Sequence, residues 1–363
     1  MVKKIVMLVK RIIKNKIRQF FPDPKIVNKL SKKLTNQHGV KNIILMDLPT
    51  NGNLGDQALV YAAKEFIHSN ISTTEINIIE VPNNEINSSI KFLSENLRST
   101  DIVVWNGGGN LGTIYPTAEL SRWATFKALR MQQVIMFPQS VFYNPLAKKF
   151  LNTSVHFYNN KANLSVYLRE KNSYDFFSKN FSVAQIELVP DIVFSLENKL
   201  PINISEIQNR NGIITLLRRD KEKSDFDNDK LITLLSKVDS VTQSDTYIDN
   251  IEVSNSNRNQ LLVDKWTEIA QHKLVVTDRL HGVIFAYLTK TPALVIPNNN
   301  WKIESTYETW LSGAPFIEIL GLNEMTDYAI SSKVEKLMSM QPHYLKISSN
   351  FEPLVEKIEE IGK

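Results

Sequence analysis

Residues 275–297 read VVTDRLHGVIFAYLTKTPALVIP. The stretch opens in a short β-branched run, Leu274–Val276, and passes through Thr277-Asp278-Arg279-Leu280-His281-Gly282. It then continues as an apolar segment of helical length and closes on a second apolar run, Ala293–Ile296. Strand, helix, strand in that order predicts a crossover between parallel strands. In open parallel sheets ligands bind beyond the carboxyl ends of the strands. Arg279 and His281 fall at that end, at the mouth of the helix, where polar groups suit a ligand better than a core. An arginine is unfavourable at a helix start, because the macrodipole is positive there. Two such groups together make sense if an anion fills the place. The competing reading pairs Arg279 with an internal acid such as Asp278 and makes His281 a capping group.

The same alternation runs through most of the chain. Asn42–Met46, Ile76–Val81, Ile102–Trp105, Val134–Phe137 and Leu164–Leu168 read as strands, with helical patterns such as Asp56–His68, Ala118–Met131 and Glu170–Ser178 between them. Continuously apolar strands such as NIILM are those buried on both faces. The polar segment 197–211 is the linker candidate. Strands at Gly212–Leu217, Ser240–Thr242, Leu274–Val276 and Ala293–Ile296 then follow, with helices near Asp229–Lys237 and Asn257–Gln271. The reading is a basic helical segment over 1–35, an α/β domain over 36–196, a second over 210–325, and a helical tail over 326–363 that packs back on the first domain. The fold class is α/β, two Rossmann-like domains facing across a cleft.

A chain of 363 residues with 42% apolar and 22% charged residues is globular in composition. It has no cysteine, which excludes disulfides, thiol nucleophiles and cysteine-zinc sites. The net charge of +5 is unevenly placed. Residues 1–33 hold eleven Lys and Arg against Asp23 alone, a charge of +10, so the remaining 330 residues carry −5. A nucleic-acid footprint over the whole surface does not fit that distribution. In MVKKIVMLVKRIIKNKIRQFF, Val2, Val6, Val9, Ile13, Ile17 and Phe20 share one helical face, and lysines and arginines share the other. Such a helix either lies on an anionic membrane surface or docks on the chain's own body or a twin subunit. The expected location is cytoplasmic, at the inner face of the plasma membrane if the helix meets lipid.

Polar clusters recur after the strands: 51–56, Asn106-Gly107-Gly108-Gly109-Asn110, Gln139-Ser140, Arg218-Arg219, Asp278–His281 and 298–302. Asp56 serves either as a helix N-cap or as a functional carboxylate. GGGNLG over 107–112 fits a dinucleotide fingerprint literally, but it follows the third strand and no acid ends the next one, so a nicotinamide or flavin site is not expected. Its backbone amides could still hold an oxyanion or let a sugar approach. The six histidines show no metal spacing, and neither a metal nor a cofactor is expected.

Together these residues resemble the polysaccharide pyruvyl transferase family over about 40–315. The matches are Asn53-Leu54-Gly55-Asp56 with Gln57-Ala58; 107–112; Tyr167-Leu168-Arg169-Glu170 with Ser173; Val189-Pro190-Asp191; Arg218 or Arg219; and Thr277–Gly282 followed by Thr291-Pro292 and 298–302. The resemblance implies a GT-B-like architecture. It also implies transfer of a pyruvyl group from phosphoenolpyruvate to two sugar hydroxyls as a cyclic ketal, in exopolysaccharide, capsule or cell-wall glycan assembly. It puts Arg279 and His281 at the donor, with Arg218 or Arg219. Arginine forks and Lys302 suit a carboxylate and a phosphate. His281 is the acid expected to protonate the donor's methylene carbon, carrying its proton mainly when donor is bound. Asp56 is the candidate base. Asn53, Gly108, Asn110 and Gln139 are the acceptor-side candidates, and a lipid-linked acceptor would give the basic helix a use. The alternative is a nucleotide-sugar glycosyltransferase of the same architecture.

Overall fold

The computed structural model describes residues 2–71, 75–207, 209–218, 227–297, 301–321, 324 and 326–362, with side chains from Lys10 onward. Arg219 and the three asparagines at 298–300 lie outside the described residues. The chain divides into two compact units: Met1–Thr50, Ala63–Ile192 and Phe351–Lys363 form the first, Asn51–Ala62 and Val193–Asn350 the second.

The first unit is built on strands β1 (Val40–Leu48), β2 (Glu75–Pro82), β3 (Ile102–Trp105), β4 (Gly108–Gly112), β5 (Gln133–Phe142), β6 (Leu164–Leu168) and β7 (Gln185–Leu188). They pair in parallel in the order β2-β1-β3-β5-β6-β7, with β4 also paired to β5. The second carries β8 (Ile213–Leu216), β9 (Val241–Ser244), β10 (Leu274–Thr277), β11 (Ala293–Val295) and β12 (Ile317–Ile319), again parallel, ordered β12-β11-β10-β8-β9. In each sheet the first strand lies between the second and the third, so the chain reverses direction there: between β1 and β3 in one unit, between β8 and β10 in the other. Doubly wound sheets bind ligands at such switch points.

The helices are α1 (Val2–Phe20), α2 (Pro24–Lys33), α3 (Leu54–Asn70), α4 (Ile86–Asn96), α5 (Pro116–Ala128), α6 (Lys148–Asn159), α7 (Lys171–Asn180), α8 (Asn228–Leu235), α9 (Arg258–Ala270), α10 (Leu280–Leu288), α11 (Lys302–Thr306), α12 (Asp327–Met338) and α13 (Glu352–Gly362). Helices cover the central strands on both faces, so Ile43 to Met46 of β1 and Leu274 to Val276 of β10 are fully buried. The first core joins Met46, Trp105, Met136 and Leu168 to Tyr158 and Phe177. The second joins Ile213, Val276 and Leu294 to Leu231 of α8 and Val334 of α12. The tail is divided: α12 packs in the second core, while Pro353 in α13 accepts the Tyr167 hydroxyl within the first unit.

Two stretches differ from their sequence reading. The glycine run is no open loop: Gly108 to Gly112 form β4, in register with Gln139, Val141 and Phe142. Gly108 and Gly112 take positive φ there, and a Cβ on Gly112 would come 2.1 Å from the Phe142 carbonyl oxygen. The polar segment after Leu196 starts inside the second unit. Glu197 is buried, and its carboxylate accepts from the Tyr287 hydroxyl and from Ser348. A solvated linker has no such donors.

Candidate functional site

The residues of the opening stretch knit the switch point of the second unit together. Thr277 Oγ1 donates to the Leu216 carbonyl at 2.8 Å and accepts the Arg279 N–H at 3.0 Å. The Asp278 carboxylate is buried and accepts the Arg218 N–H at 2.8 Å. Burial raises the Asp278 pKa above its ordinary value, against the Arg218 N–H and the charges of Arg279 and Arg218, which act the other way. Gly282 lets α10 sit on the strand end, since a Cβ there would meet Thr277 Oγ1 at 2.3 Å.

Arg279 occupies the N-cap position of α10 in extended conformation, without a side-chain cap bond. Its Nη2 pairs with both carboxylate oxygens of Asp245, at 2.8 and 2.9 Å. The internal acid is therefore Asp245, directly after β9, and not the neighbouring Asp278. His281 follows in the first turn of α10. A Cβ on Gly55 would lie 2.4 Å from His281 Nδ1, so the imidazole rests directly on that glycine.

The segment carrying Gly55 belongs to the second unit and is fastened to the loop after β9. Leu54 N donates to Thr246 O at 2.8 Å, and Ile248 N to Gly52 O at 2.9 Å. Asn53 caps α3, its Oδ1 accepting Gly55 N at 3.2 Å. Its Nδ2 donates to Asp56 Oδ2 at 2.8 Å. This is a side-chain variant of N-capping and not a capping box, because the Asn53 backbone N–H donates to Asn51 Oδ1 at 3.1 Å and not to Asp56. Asp56 is thus a first-turn carboxylate rather than the cap itself. Gln57 is buried, donating to Asn51 O and accepting from Arg258 Nε, each at 2.9 Å.

Asn53, Asp56, Arg218, Arg279 and His281 thus share one unit, and Lys302 opens α11 of the same unit after β11. Gly108, Asn110 and Gln139 belong to the first unit. There Asn110 lies between two charges: its Nδ2 donates to Asp47 Oδ2 and its Oδ1 accepts from Arg122 Nη2, each at 2.7 Å. Arg122 is buried, pairs with Glu119 and stacks its guanidinium over Trp105. Glu119 also accepts from Tyr143, Ser154, Tyr158 and Trp123. Burial, helped by the Glu119 charge, pushes the Tyr143 hydroxyl well above its ordinary pKa. Gln139 donates to the Asn106 carbonyl at 2.6 Å, and its buried Oε1 makes no hydrogen bond among the described residues.

Two acids escaped the sequence reading. Asp245 follows a strand like the other polar clusters, but Thr242 and Gln243 of β9 are both exposed, so the strand lacks an alternating signature. Asp47 sits inside β1 at a register shift with φ of 68°, a left-handed conformation that apolar periodicity does not report.

Comparison with known proteins shows the family. The family described as polysaccharide pyruvyl transferase matches residues 53–300. General stress protein 30 of Bacillus subtilis is 30% identical, covering 87% of this chain and 91% of that one. Pyruvyl transferase 1 of Schizosaccharomyces pombe is 27% identical over 82% of this chain and 76% of its own. Among solved structures, an uncharacterized Klebsiella pneumoniae protein superposes with a TM-score of 0.51 at 18% identity, covering 82% of this chain and 97% of that one, and so shares the fold. The chain belongs to the polysaccharide pyruvyl transferase family and is an enzyme of the transferase class.

Proposed function

We propose that the enzyme moves the pyruvyl group of phosphoenolpyruvate onto two hydroxyls of a lipid-linked sugar as a cyclic ketal, in exopolysaccharide, capsule or cell-wall glycan assembly at the inner face of the plasma membrane. One observation carries the reading. At the switch point of the second sheet, Arg279 stands at the N-cap of α10 and His281 follows in its first turn, seated on Gly55 of the segment that bears Asn53 and Asp56. Cation, imidazole and carboxylate are the groups that this reaction needs.

A proton adds to the methylene carbon of the donor, and His281 supplies it. The first sugar hydroxyl bonds to the adjacent carbon and gives its proton to Asp56. The bond from that carbon to the phosphate oxygen breaks, its electron pair leaving on phosphate. The second hydroxyl then closes the ring, and its proton leaves with the phosphate. Arg279, either Arg218 or Arg219, and Lys302 hold the donor's carboxylate and phosphate through charge-assisted bonds. Asn53 orients Asp56. Gln139 Oε1 is an acceptor atom suited to a sugar hydroxyl. Asn110 and Gly108 are the further acceptor-side residues; Asn110 also bridges Asp47 and Arg122, and Gly108 lies in β4.

The test incubates the purified chain with phosphoenolpyruvate and a β-galactoside, and follows phosphate release and the mass of the sugar. His281→Ala should lower turnover by about 10²–10⁴-fold while donor still shifts the melting curve. Arg279→Ala should lose that shift. Normal turnover by His281→Ala sinks the mechanism.

A further inference from the structure

The first helix docks the wrong way round for an ordinary amphipathic element. It packs on α4 and α5 of the first unit, and from Lys10 to Phe20 its half-buried residues are Ile12, Asn15, Arg18 and Gln19, with Gln19 Nε2 donating to Asn87 Oδ1 at 2.8 Å and Arg18 Nη1 to the Asn84 carbonyl at 3.4 Å. Among the residues with described side chains, the docked face is thus mostly polar. The apolar stripe is left outside: Ile13 and Ile17 are 54% exposed, Phe20 71% and Phe21 78%. A helix that buries asparagine and glutamine while presenting isoleucine and phenylalanine to solvent has an apolar face in need of a second surface.

Charge says which surface. At about 100° per residue, Ile13, Ile17 and Phe20 fall within an arc of about 60°. Lys10 and Lys14 border it on one side and Lys16 on the other. Lys10, Arg11, Lys14 and Lys16 are all exposed. No acid lies in α1, and Asp23, the one acid among the first 33 residues, is occupied in capping α2 through the Lys25 N–H. A second copy of this face would bring two rows of cations together. A zwitterionic surface would leave them without counter-charge. We propose that residues 10–21 form a docking surface for an anionic lipid bilayer. The isoleucine and phenylalanine side chains enter the headgroup boundary, and the flanking lysines and arginines meet lipid phosphates. Among the described residues no helix is long and apolar enough to cross a membrane, so this contact is lateral. The inference stands independently of the donor assigned to the second unit.

The experiment sediments the full chain with phosphatidylcholine vesicles, with and without phosphatidylglycerol. Binding should require phosphatidylglycerol and weaken with salt. Lys10→Ala with Lys14→Ala should lower the partition coefficient about thirtyfold, at about fivefold for each cation near the surface. Ile13→Ser with Ile17→Ser and Phe20→Ser should remove binding at an unchanged melting temperature. Phosphate release on a water-soluble acceptor should be unaltered in both variants, which separates this surface from the catalytic reading. Equal binding to both vesicle types, or none to either, overturns the proposal. So does a dimer in sedimentation that Ile13→Asp converts to monomer, since the second copy would then be the occupant.

Discussion

Gly55→Ala tests the seat of His281 directly. Gly55 lies in the first turn of α3, outside the positive-φ residues, so its backbone does not demand glycine. What demands it is the neighbour. An added Cβ would stand 2.4 Å from Nδ1, 2.6 Å from Cγ and 2.7 Å from Cβ of His281. Ordinary carbon contacts begin near 3.5 Å, so the imidazole or the helix start must move by about 1 Å. The close atoms include the His281 Cβ, so rotating the ring alone does not relieve the contact. Two opposed effects bear on stability. Overpacking costs about 1–3 kcal/mol, and alanine in place of glycine inside a helix returns about 1 kcal/mol, leaving a net loss of about 0–2 kcal/mol. Catalysis should suffer more, because a 1 Å misplacement of a reacting group costs about a hundredfold. Phosphate release gives kcat, a melting shift with phosphoenolpyruvate gives donor binding, and urea unfolding gives stability. The expected result is kcat down about a hundredfold with the fold intact and the donor-induced shift retained. Wild-type kcat in Gly55→Ala would refute the assignment of His281 as the proton donor in this position.

Other consequences are structural. Asp191 is buried and pairs with the buried Arg169 at 2.6 Å, so Asp191→Ala should cost about 3–5 kcal/mol in urea unfolding; an unchanged midpoint would show that Ser140, which also accepts from Arg169, suffices. Burial alone would raise the Asp101 pKa, but hydrogen bonds from Arg98 and Asn42 outweigh it and hold the carboxyl below its ordinary 3.8. A lowered folded value stabilises fully above the unfolded value and fades as pH falls through the folded one, so this contribution disappears below about pH 4. Asp101→Asn should lower the melting temperature at neutral pH and flatten its acid limb; parallel pH profiles for the two proteins would contradict this.

Apolar continuity made β1, β3 and β10 readable, because strands covered on both faces need unbroken hydrophobic runs. It failed where burial is one-sided or small residues do the work. Three residues are too few for β12 to stand out, polar β9 lies later than its apolar residues suggest, and β4 hides in glycines, which carry no strand preference. The stripe on α1 was plain, yet its direction was not. Periodicity says that one face is apolar, but only packing shows that Asn15 and Gln19 face the protein. Similarly, the sequence placed Arg279 and His281 at a ligand-binding edge without revealing Gly55 beneath the imidazole, since that contact joins positions more than two hundred residues apart.

The pair between Arg279 and Asp245 bears on the donor as well as on the fold. A cation at a helix N-terminus calls for an anion beside it, and Asp245 provides one for Arg279. An arginine fully satisfied by its own protein would be a poor ligand for phosphoenolpyruvate. The contact, however, runs through Nη2 alone, while the buried Nε makes no hydrogen bond among the described residues. Guanidinium carries five donors in a rigid fork, so one carboxylate on one nitrogen leaves edges for a second anion. Asp245 is itself one-quarter exposed, so solvent weakens its competition for the charge. On the proposed reading Asp245 then orients the guanidinium plane before the donor arrives. The rotamer entropy that a free arginine would lose on binding is already lost in folding.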